Sequence, residues 1–493
     1  MTVLSALVLI PAAAAVLCFF IRTDALRRAL LLGAAVAHAA LSLSTWFRAP
    51  GDAWNGTLRL DAIGQPFLTV LSALFLAATV YAVGYLRRES PGEREDFLEG
   101  FRFTNAPEAV FTGCLLFFLS TMTLVLLSEN LALLWIAIEA TTLSSAPLIY
   151  FHRHHRSLEA TWKYLMICSV GIGLALLGIF FLAVAASAAF GGSIPLSVHA
   201  LCERAAGLHA PWLKAAFIFL LVGYGTKMGL APLHTWLPDA HSEAPSVVSA
   251  LLSGALLNCA FVGILRIDQI CVAAGLGPYA QGFFVWFGLV SIGIAAAFLL
   301  AQRDYKRLLA YSSVEHMGIL ALGLGLGGTA AFGALLHAVN HSFTKAMLFL
   351  LAGNILTVYR TKSAPEVRGV LRRIPVTGVL WLAGLLAITG SPPFGTFVSE
   401  LLILRGALDQ GRFWIAGLYL ALLTVIFIGM AATMTRMAQG VAPQIPGATP
   451  RREESLAIGP PIALGVVALV LGIYLPPSLD AVLHRAAQAL GAG

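Results

Sequence analysis

The chain is built from recurring runs of mostly apolar residues, each about 20 residues long, and this repetition restricts its fold more than any other feature. A helix of that length spans the hydrocarbon core of a bilayer, where only segments that bond their own backbone groups are stable. Only 11% of the residues are charged, whereas soluble domains carry roughly a quarter. The sequence therefore predicts an all-α polytopic membrane protein with about 14 transmembrane helices.

Basic residues concentrate in every second loop. The loops after the first, fifth and ninth predicted spans contain Arg22, Arg27, Arg28, Arg153, Arg156, Arg303, Lys306 and Arg307. The net charge of +7 therefore reflects membrane topology rather than nucleic acid binding. We expect the protein to lie in the inner membrane of a prokaryote. Because cytoplasmic loops hold the positive charge, both termini are expected on the outer side of that membrane. The first apolar run has no basic region before it, so we expect a retained helix rather than a cleaved signal peptide.

Two predicted spans are interrupted by glycine and proline. The seventh contains Gly229 and Pro232, and the twelfth contains the sequence Gly-Ser-Pro-Pro-Phe-Gly at residues 390–395. Proline lacks an amide donor and clashes with the preceding turn, so neither helix continues regularly. Paired interruptions are typical of inverted-repeat transporters, whose polar path lies between them. We therefore expect two inverted five-helix repeats, helices 4–8 and 9–13, with broken helices 7 and 12.

This pattern divides the chain into four units. Residues 1–109 would hold helices 1–3 and a cytoplasmic loop, and residues 110–266 the first repeat. Residues 281–437 would hold the second repeat, and residues 438–493 helix 14 and a tail. The charged loop at residues 87–109 is expected to be partly helical at the surface.

Two opposite charges stand out within the first predicted repeat. Glu139 lies near the middle of the fifth span, and Lys227 directly precedes the first break. A charge at mid-membrane costs about 2.5–3.5 kcal/mol even on lenient scales, so it needs a partner. We expect Glu139 and Lys227 to pair as a proton switch, in which separation lets the lysine release its proton. A static buried ion pair is the alternative, as is a lysine that reaches to the membrane interface.

The second predicted repeat contains a polar stripe. His337, His341 and Lys345 are spaced four residues apart, which places them on one helical face. Histidine titrates near neutrality, so the stripe predicts a proton relay, with satisfied core histidines as the alternative. Glu400 follows the second break as the counterpart of Lys227, where it would serve as a proton exit or simply end a helix. Further possible members are His234, Glu315 and His316.

Other polar residues are given weaker roles. Lys163, four residues after Glu159, is either an interface ion pair or a link between Glu139 and Lys227. His152, His154 and His155 are expected to complement a helix end rather than to bind metal. The six cysteines are scattered without metal-ligand spacing, so we expect no disulfide framework, no metal and no cofactor.

Three motifs carry a family resemblance. Residues 227–246, 306–318 and 337–345 resemble the antiporter-like membrane subunits of respiratory complex I and the related large subunits of multi-subunit sodium/proton antiporters. Within that superfamily, residues 138–147 and 162–171 look most like component F of hydrogenase-4, a membrane subunit of group 4 nickel-iron hydrogenase complexes. The resemblance implies that Glu139, Lys227 and Glu400 are the charged residues of the fifth, seventh and twelfth helices.

The resemblance also shows two departures. Glu315 stands where a small polar residue is usual. Complex I subunits usually carry a lysine in the eighth helix, where this chain has Asn258, which cannot carry a charge. Either His241, His337 or His341 then bridges the central step, or the channel is altered or inactive.

The resemblance leads to a functional hypothesis. The chain would be a non-catalytic, proton-translocating subunit of a hydrogenase or related oxidoreductase complex, driven by redox chemistry in membrane and peripheral partner subunits. The alternatives are a sodium/proton antiporter subunit and a non-pumping structural anchor. An enzyme that binds quinone itself is less favoured, because the chain has no soluble redox motif.

Overall fold

The computed structural model describes residues 2–89, 92–95, 100–191, 194–441 and 453–491. Parts of the predicted units 1–109 and 438–493 fall in the gaps and lie outside the described residues. The helices are, in order, α1 (Val3–Phe20), α2 (Asp24–Ser44), α3 (Gly64–Arg88), α4 (Glu108–Leu127), α5 (Leu131–Ile149), α6 (His155–Phe190), α7 (Val198–Glu203), α8 (Ala210–Met228), α9 (Trp236–Glu243), α10 (Ser246–Leu251), α11 (Leu257–Ala273), α12 (Gly277–Leu299), α13 (Tyr305–Leu326), α14 (Gly328–Tyr359), α15 (Val370–Arg373), α16 (Pro375–Ile388), α17 (Gly395–Asp409), α18 (Phe413–Ala438), α19 (Ser455–Ile473) and α20 (Pro477–Ala489).

Twelve spans in the described part of the chain are long and apolar enough to cross a membrane without interruption. One of them consists of α10, a π-helical segment at Leu252–Leu256 and α11, which follow each other directly. Two further spans are broken: the seventh consists of α8 and α9, and the twelfth of α16 and α17. The predicted all-α polytopic fold with broken helices 7 and 12 is therefore confirmed.

Side-chain caps fix the starts of the helices that carry the polar residues. Asn130 accepts hydrogen bonds from two amides in the first turn of α5, and Asp304 does the same for α13. Such caps satisfy amides that the helix itself leaves without partners. They therefore set the first residues of the helices that hold Glu139 and Glu315.

The connecting loops meet at the two ends of the bundle. At one end, isolated bridges join Asn105 to His152 and Asp304 to Ser363. These loops contain most of the arginines named above, and we call this the Arg-rich end. At the opposite end, bridges join Leu58 to Ser128 and residue 130 to residue 197.

Two segments outside the predicted spans contain secondary structure. The loop at residues 87–109 differs from the prediction, and the tail after the last span contains a helix. The loop at residues 87–109 was expected to be partly helical, but its described part forms an antiparallel pair, β1 (Glu93–Glu95) with β2 (Arg102–Thr104). The sequence Pro91-Gly92 directly after α3 favours a turn over a continued helix. In the predicted tail, α20 buries Val482, Leu483, Ala486 and Ala487 on one face, packed against α14 and α3.

Candidate functional site

Lys227 lies in the last turn of α8, directly before the first break, and its side chain is fully buried. Its ammonium group donates hydrogen bonds to the hydroxyls of Tyr164, at 2.6 Å, and Thr142, at 2.7 Å. The ammonium also lies 4.5 Å from the centroid of the Tyr164 ring, whose electrons attract a cation. The Tyr164 hydroxyl contacts that of Ser145 at 2.7 Å. Hydroxyl groups therefore take the place of water around this buried charge.

Glu139 forms no direct ion pair with Lys227 among the described residues, which corrects the contact pair expected from the sequence. The Glu139 carboxylate accepts a hydrogen bond from Ser169 at 2.8 Å and one from Thr142 at 3.3 Å. The Thr142 hydroxyl therefore donates to the carboxylate and accepts from the ammonium. We call the whole group the lysine cluster; it consists of Glu139, Thr142, Ser145, Tyr164, Ser169 and Lys227.

The packing of α6 brings further hydroxyl groups to both charges. A Cβ atom on Gly223 of α8 would lie 2.5 Å from the carbonyl oxygen of Gly171 of α6. Glycine at this position lets the two backbones approach as closely as small residues permit. Since α6 also packs against α5, it contributes Tyr164 and Ser169 to the space around both charges.

The first break closes over the lysine cluster. The indole of Trp236 donates to the Thr226 carbonyl at 2.9 Å, and its ring centroid lies 4.9 Å from that of Tyr164. His234, between α8 and α9, is buried with its ring 6.2 Å from that of Tyr311. The second half of this span thereby separates the cluster from the Arg-rich end.

His241 connects the broken seventh span to α14. It is fully buried, and its ring stacks on that of Phe349 with centroids 4.9 Å apart. Phe349 lies four residues after Lys345, so both lie on the same face of α14. His241 therefore faces the stripe predicted from the sequence.

Hydrogen bonds hold the side chain of Asn258, which stands where complex I subunits usually carry a lysine. Asn258 is buried directly after the π-helical segment, and its amide donates to Ser342 at 2.6 Å and to the Gly254 carbonyl at 3.1 Å. π-Helical turns inside α-helices occur frequently at functional sites. Asn258 thus joins the eighth span to the polar helix α14 without contributing a charge.

The structure brings three histidines together. His316 and His337 share a hydrogen bond of 2.8 Å between ring nitrogens, and the His341 ring lies 5.0 Å from that of His316. The other ring nitrogen of His337 contacts the Ser399 hydroxyl at 2.9 Å. A nitrogen of His316, a nitrogen of His337 and a carboxylate oxygen of Glu400 all lie within 4.8 Å of one another. We call His316, His337, His341, Ser399 and Glu400 the histidine cluster.

Lys345 and Glu315 lie in the same interior. The Lys345 ammonium donates to the Leu309 carbonyl at 2.6 Å and to the Ser312 hydroxyl, both on α13. Glu315 is 2% exposed, and its Oε2 has no hydrogen-bond partner among the described residues. Both charged side chains are therefore inside the bundle rather than at its surface.

Glu400 lies one turn into α17, after the second break. Gly390, in that break, has a φ of +58°, and a Cβ atom there would lie 2.0 Å from a carboxylate oxygen of Glu400. A cavity of about 270 Å³ adjoins the carboxylate and is lined also by Tyr419 and Thr389. The break thus provides the space into which the carboxylate fits.

Lys163 lies apart from both clusters. Its ammonium contacts Glu159 at 2.6 Å and Asp239 at 3.0 Å, and Asp239 also pairs with Arg307 at 2.8 Å. These residues and Glu243 line a cavity of about 240 Å³ at the Arg-rich end. Of the two roles considered, the geometry favours the ion pair near the membrane interface.

The three histidines in the loop after the fifth span contact other groups of the protein. His152 contacts Tyr85 at 3.1 Å and Asn105 at 2.8 Å, and His154 accepts the Ser157 amide at the start of α6. The ring of His155 packs edge-on against Phe101. These contacts agree with the expected position at a helix end.

Several buried polar atoms in this interior have no hydrogen-bond partner within the described residues. They are Oδ1 of Asn258, Oε2 of Glu315, Nε2 of His316 and both ring nitrogens of His241 and His341. A buried polar group without a partner costs about 1–3 kcal/mol, and ordered water commonly satisfies such groups. The helices α9, α11, α13 and α14 therefore enclose an interior suited to water.

Sequence reasoning missed the hydroxyl groups that surround the charges. Thr142 and Ser145 follow Glu139 by three and six residues, a helical spacing that could have indicated one shared face. Tyr164, Ser169 and Ser399 carry no such signal, because their partners lie on other helices.

Comparisons with known proteins agree with this architecture. The profile of the family described as NADH:quinone oxidoreductase/Mrp antiporter, transmembrane, matches residues 128–427. The chain is 39% identical to a hydrogenase-4 component F homologue of Methylacidiphilum infernorum, over 72% of this chain and 74% of that protein. A chain in the structure of Thermus thermophilus respiratory complex I with bound aureothin has a TM-score of 0.74 and 25% identity, covering 96% of this chain and 97% of that one. A chain of an archaeal membrane-bound sulfane sulfur reductase has a TM-score of 0.85 at 20% identity, covering 99% and 97%, which shows the shared fold.

The broken spans and the buried charges define an antiporter-like membrane subunit. The match over more than half of its length shows that the chain belongs to the NADH:quinone oxidoreductase/Mrp antiporter transmembrane family. The resemblance found in the sequence motifs, including that to hydrogenase-4 component F, is confirmed. The buried charged residues are consistent with proton translocation.

Proposed function

We propose that this chain translocates protons through the membrane as a subunit of a hydrogenase or a related respiratory oxidoreductase complex. The observation that carries the proposal is a set of buried ionisable side chains inside the bundle, on α8, α9, α13, α14 and α17: Lys227, His241, Glu315, His316, His337, His341, Lys345 and Glu400. Charged groups inside a membrane are costly and generally mark ion pathways. A structural anchor would need none of them.

The lysine cluster is the proposed switch. Two of the three donor hydrogens of the Lys227 ammonium are bound by Tyr164 and Thr142. A movement of α5 that carries Glu139 and Thr142 away from Lys227 would weaken the stabilisation of the ammonium and favour release of its proton. Redox chemistry in partner subunits would supply the energy for this movement.

The proton would then pass through the second half of the bundle. His241 faces the stripe that contains Lys345, and His341, His316 and His337 lead towards Glu400. A histidine can accept a proton on one ring nitrogen while it releases one from the other. The buried polar atoms without protein partners are suited to bind water that completes this path. Since Asn258 carries no charge, the histidines would perform the central step.

The predicted organisation belongs to the same proposal. The five-helix units at residues 110–266 and 281–437 would be inverted repeats, flanked by units 1–109 and 438–493. The Arg-rich end would face the cytoplasm of a prokaryote, and both termini would lie on the opposite, outer side of the inner membrane. Support comes from the Arg-rich loops, which meet at one end of the bundle.

The proposal is tested by proton uptake into inverted vesicles that contain the whole assembled complex, for the parent and for Lys227→Met. Lys214→Met, on the exposed side of the same helix, is the matched control. We expect Lys227→Met to lose uptake at equal assembly, and the control to retain it. Unchanged uptake in Lys227→Met would support the anchor instead, and uptake that requires sodium would support the antiporter.

A further inference from the structure

We propose that His316, His337 and Glu400 form a binding site for a divalent transition-metal ion of the zinc type. One potential ligand atom from each residue lies within 4.8 Å of the other two. The side chains come from α13, α14 and α17, so tertiary packing assembles the site rather than one local motif. Two imidazoles and one carboxylate are a ligand set that zinc adopts in proteins, with a further position left for water.

Burial of the residues supports a preformed site. His316 and His337 are fully buried, and Glu400 is 8% exposed. Such side chains cannot turn towards solvent without disturbing the helix packing, so the ligand atoms are held close together before an ion arrives. Preformed geometry reduces the entropy cost of binding.

A second observation points to a ligand. The Nε2 atom of the fully buried His316 has no hydrogen-bond partner of good geometry within the described residues, and besides the other histidines and Lys345 the backbone of Ile388 lies within interaction range of the ring. Imidazole nitrogen in its neutral form is a metal ligand as well as a hydrogen-bond acceptor. The group is therefore available for coordination.

The surroundings provide orientation and space. Coordination through the Nε2 atom of His337 replaces its 2.8 Å hydrogen bond to the Nδ1 atom of His316, and the Nδ1 atom of His337 stays in contact with the Ser399 hydroxyl at 2.9 Å. Second contacts of this kind orient histidines that bind metal. The cavity of about 270 Å³ beside Glu400 leaves room for a water ligand.

The site coincides with the proposed proton path, so an ion bound there would occupy the groups that pass protons to Glu400. We therefore infer that zinc acts as an inhibitor of this subunit rather than as its cofactor. Binding itself follows from the geometry alone, and only the inhibition rests on the proposed function. The two are measured separately.

The test is equilibrium titration of the purified, assembled complex with Zn²⁺ alone, without turnover. We expect the zinc affinity to fall at least about a hundredfold in each of His316→Gln, His337→Gln and Glu400→Gln. Loss of a residue that only hydrogen-bonds to a metal ligand already lowers metal affinity about 10- to 100-fold, and these residues are the ligands themselves. His484→Gln removes an exposed histidine that pairs with Asp480 and is the matched control. Equal binding in the parent and all three variants would overturn the proposal and assign the zinc to surface groups.

X-ray absorption at the zinc edge of the unmutated complex keeps the test decisive if a variant fails to assemble. Two imidazole nitrogens and one carboxylate oxygen at about 2.0–2.2 Å support the site. A sulfur-containing or all-water environment contradicts it. If zinc binds with these ligands but proton uptake continues at saturation, the metal site stands and the proposed path through it is wrong.

Discussion

Glu139 and Lys227 are joined through one hydroxyl group, that of Thr142, which lies 3.3 Å from the carboxylate oxygen and 2.7 Å from the ammonium nitrogen. This arrangement differs from a contact ion pair because the coupling between the charges depends on a neutral residue. The Thr142–Glu139 bond lies within α5, so a small movement of α5 relative to α8 changes the Thr142–Lys227 bond and shifts the carboxylate with it. The bridge is thus a position at which a signal from outside the chain can alter the environment of Lys227.

Thr142→Val is expected to reduce proton translocation while the complex still assembles. Valine keeps the shape of threonine but removes both hydrogen bonds. Hydrogen bonds to charged groups are worth about 1.5–3 kcal/mol, so we expect a rate lower by about 10- to 100-fold. Proton uptake at matched electron transfer measures the effect. Thr357→Val is the control, because Thr357 bonds only the Gly353 carbonyl of its own helix; an equal loss in both variants would contradict the bridge.

Gly390→Ala is expected to displace the Glu400 carboxylate. The added Cβ atom would lie 2.0 Å from the Glu400 oxygen, which is shorter than any tolerated contact, and Glu400 must move. Gly411→Ala provides the control, since Gly411 has a similar φ of +69° and open space around its Cβ position. Both variants carry the backbone strain of a left-handed residue. Proton uptake should fall strongly in Gly390→Ala alone, and similar uptake in the two would mean that the position of Glu400 is not critical.

The sequence indicated which ionisable residues lie inside the bundle better than it indicated their contacts. His337, His341 and Lys345 could be placed on one face, because helical spacing is a local property, and the structure directs all three towards α13. The spacing of Thr142 from Glu139 is a local signal, but the contact of Thr142 with Lys227 could not be predicted, because it depends on how α5 packs against α8. Likewise, the meeting of His316 with Glu400 requires the break at Gly390, whose geometry no pattern of hydrophobicity specifies. The hairpin β1–β2 was missed because charge alone does not distinguish a surface helix from a turn.

Asp61→Asn is expected to destabilise the protein at neutral pH and much less at acid pH. Burial by itself would raise the pKa of Asp61, but the charge and hydrogen bonds of Arg266, one of them 2.9 Å long, hold that pKa below its usual range. A lowered pKa stabilises the folded state above the ordinary aspartate pKa of about 3.9, and this contribution is lost as the pH falls through the folded-state value. Arg266 is buried but Asp61 keeps 28% of its side chain exposed, so the loss is expected to lie below the cost of about 3–5 kcal/mol for removing one partner of a fully buried pair.

Thermal unfolding of the detergent-purified protein between about pH 3 and pH 7 measures this difference. Asp52→Asn is the control, because Asp52 pairs with Arg59 near the surface with 42% of its side chain exposed. An exposed pair is worth about 0–1 kcal/mol. A difference between parent and Asp61→Asn that stays constant down to the lowest pH would show that the ionised carboxylate is not the cause.

Lys163→Ala is expected to leave proton translocation within about twofold of the parent, since exposed ion pairs contribute about 0–1 kcal/mol. Lys163 is 45% exposed and pairs with Glu159 and Asp239 at the Arg-rich end, apart from the hydroxyl groups that bind Lys227. The initial rate of proton uptake by inverted vesicles checks this. A loss as large as that of Lys227→Met would instead assign Lys163 to the path.

The central claim is that Lys227 and Glu400 belong to one continuous proton path, and a double-mutant comparison tests it most directly. The quantity to measure is the number of protons moved per electron pair by the assembled complex with Lys227→Met, with Glu400→Gln and with both changes. If Lys227 and Glu400 act in series, each single variant removes the protons that this subunit contributes per electron pair. The double variant then moves no fewer protons than either single variant. A double variant that loses the sum of two partial losses would show two independent routes and contradict the account.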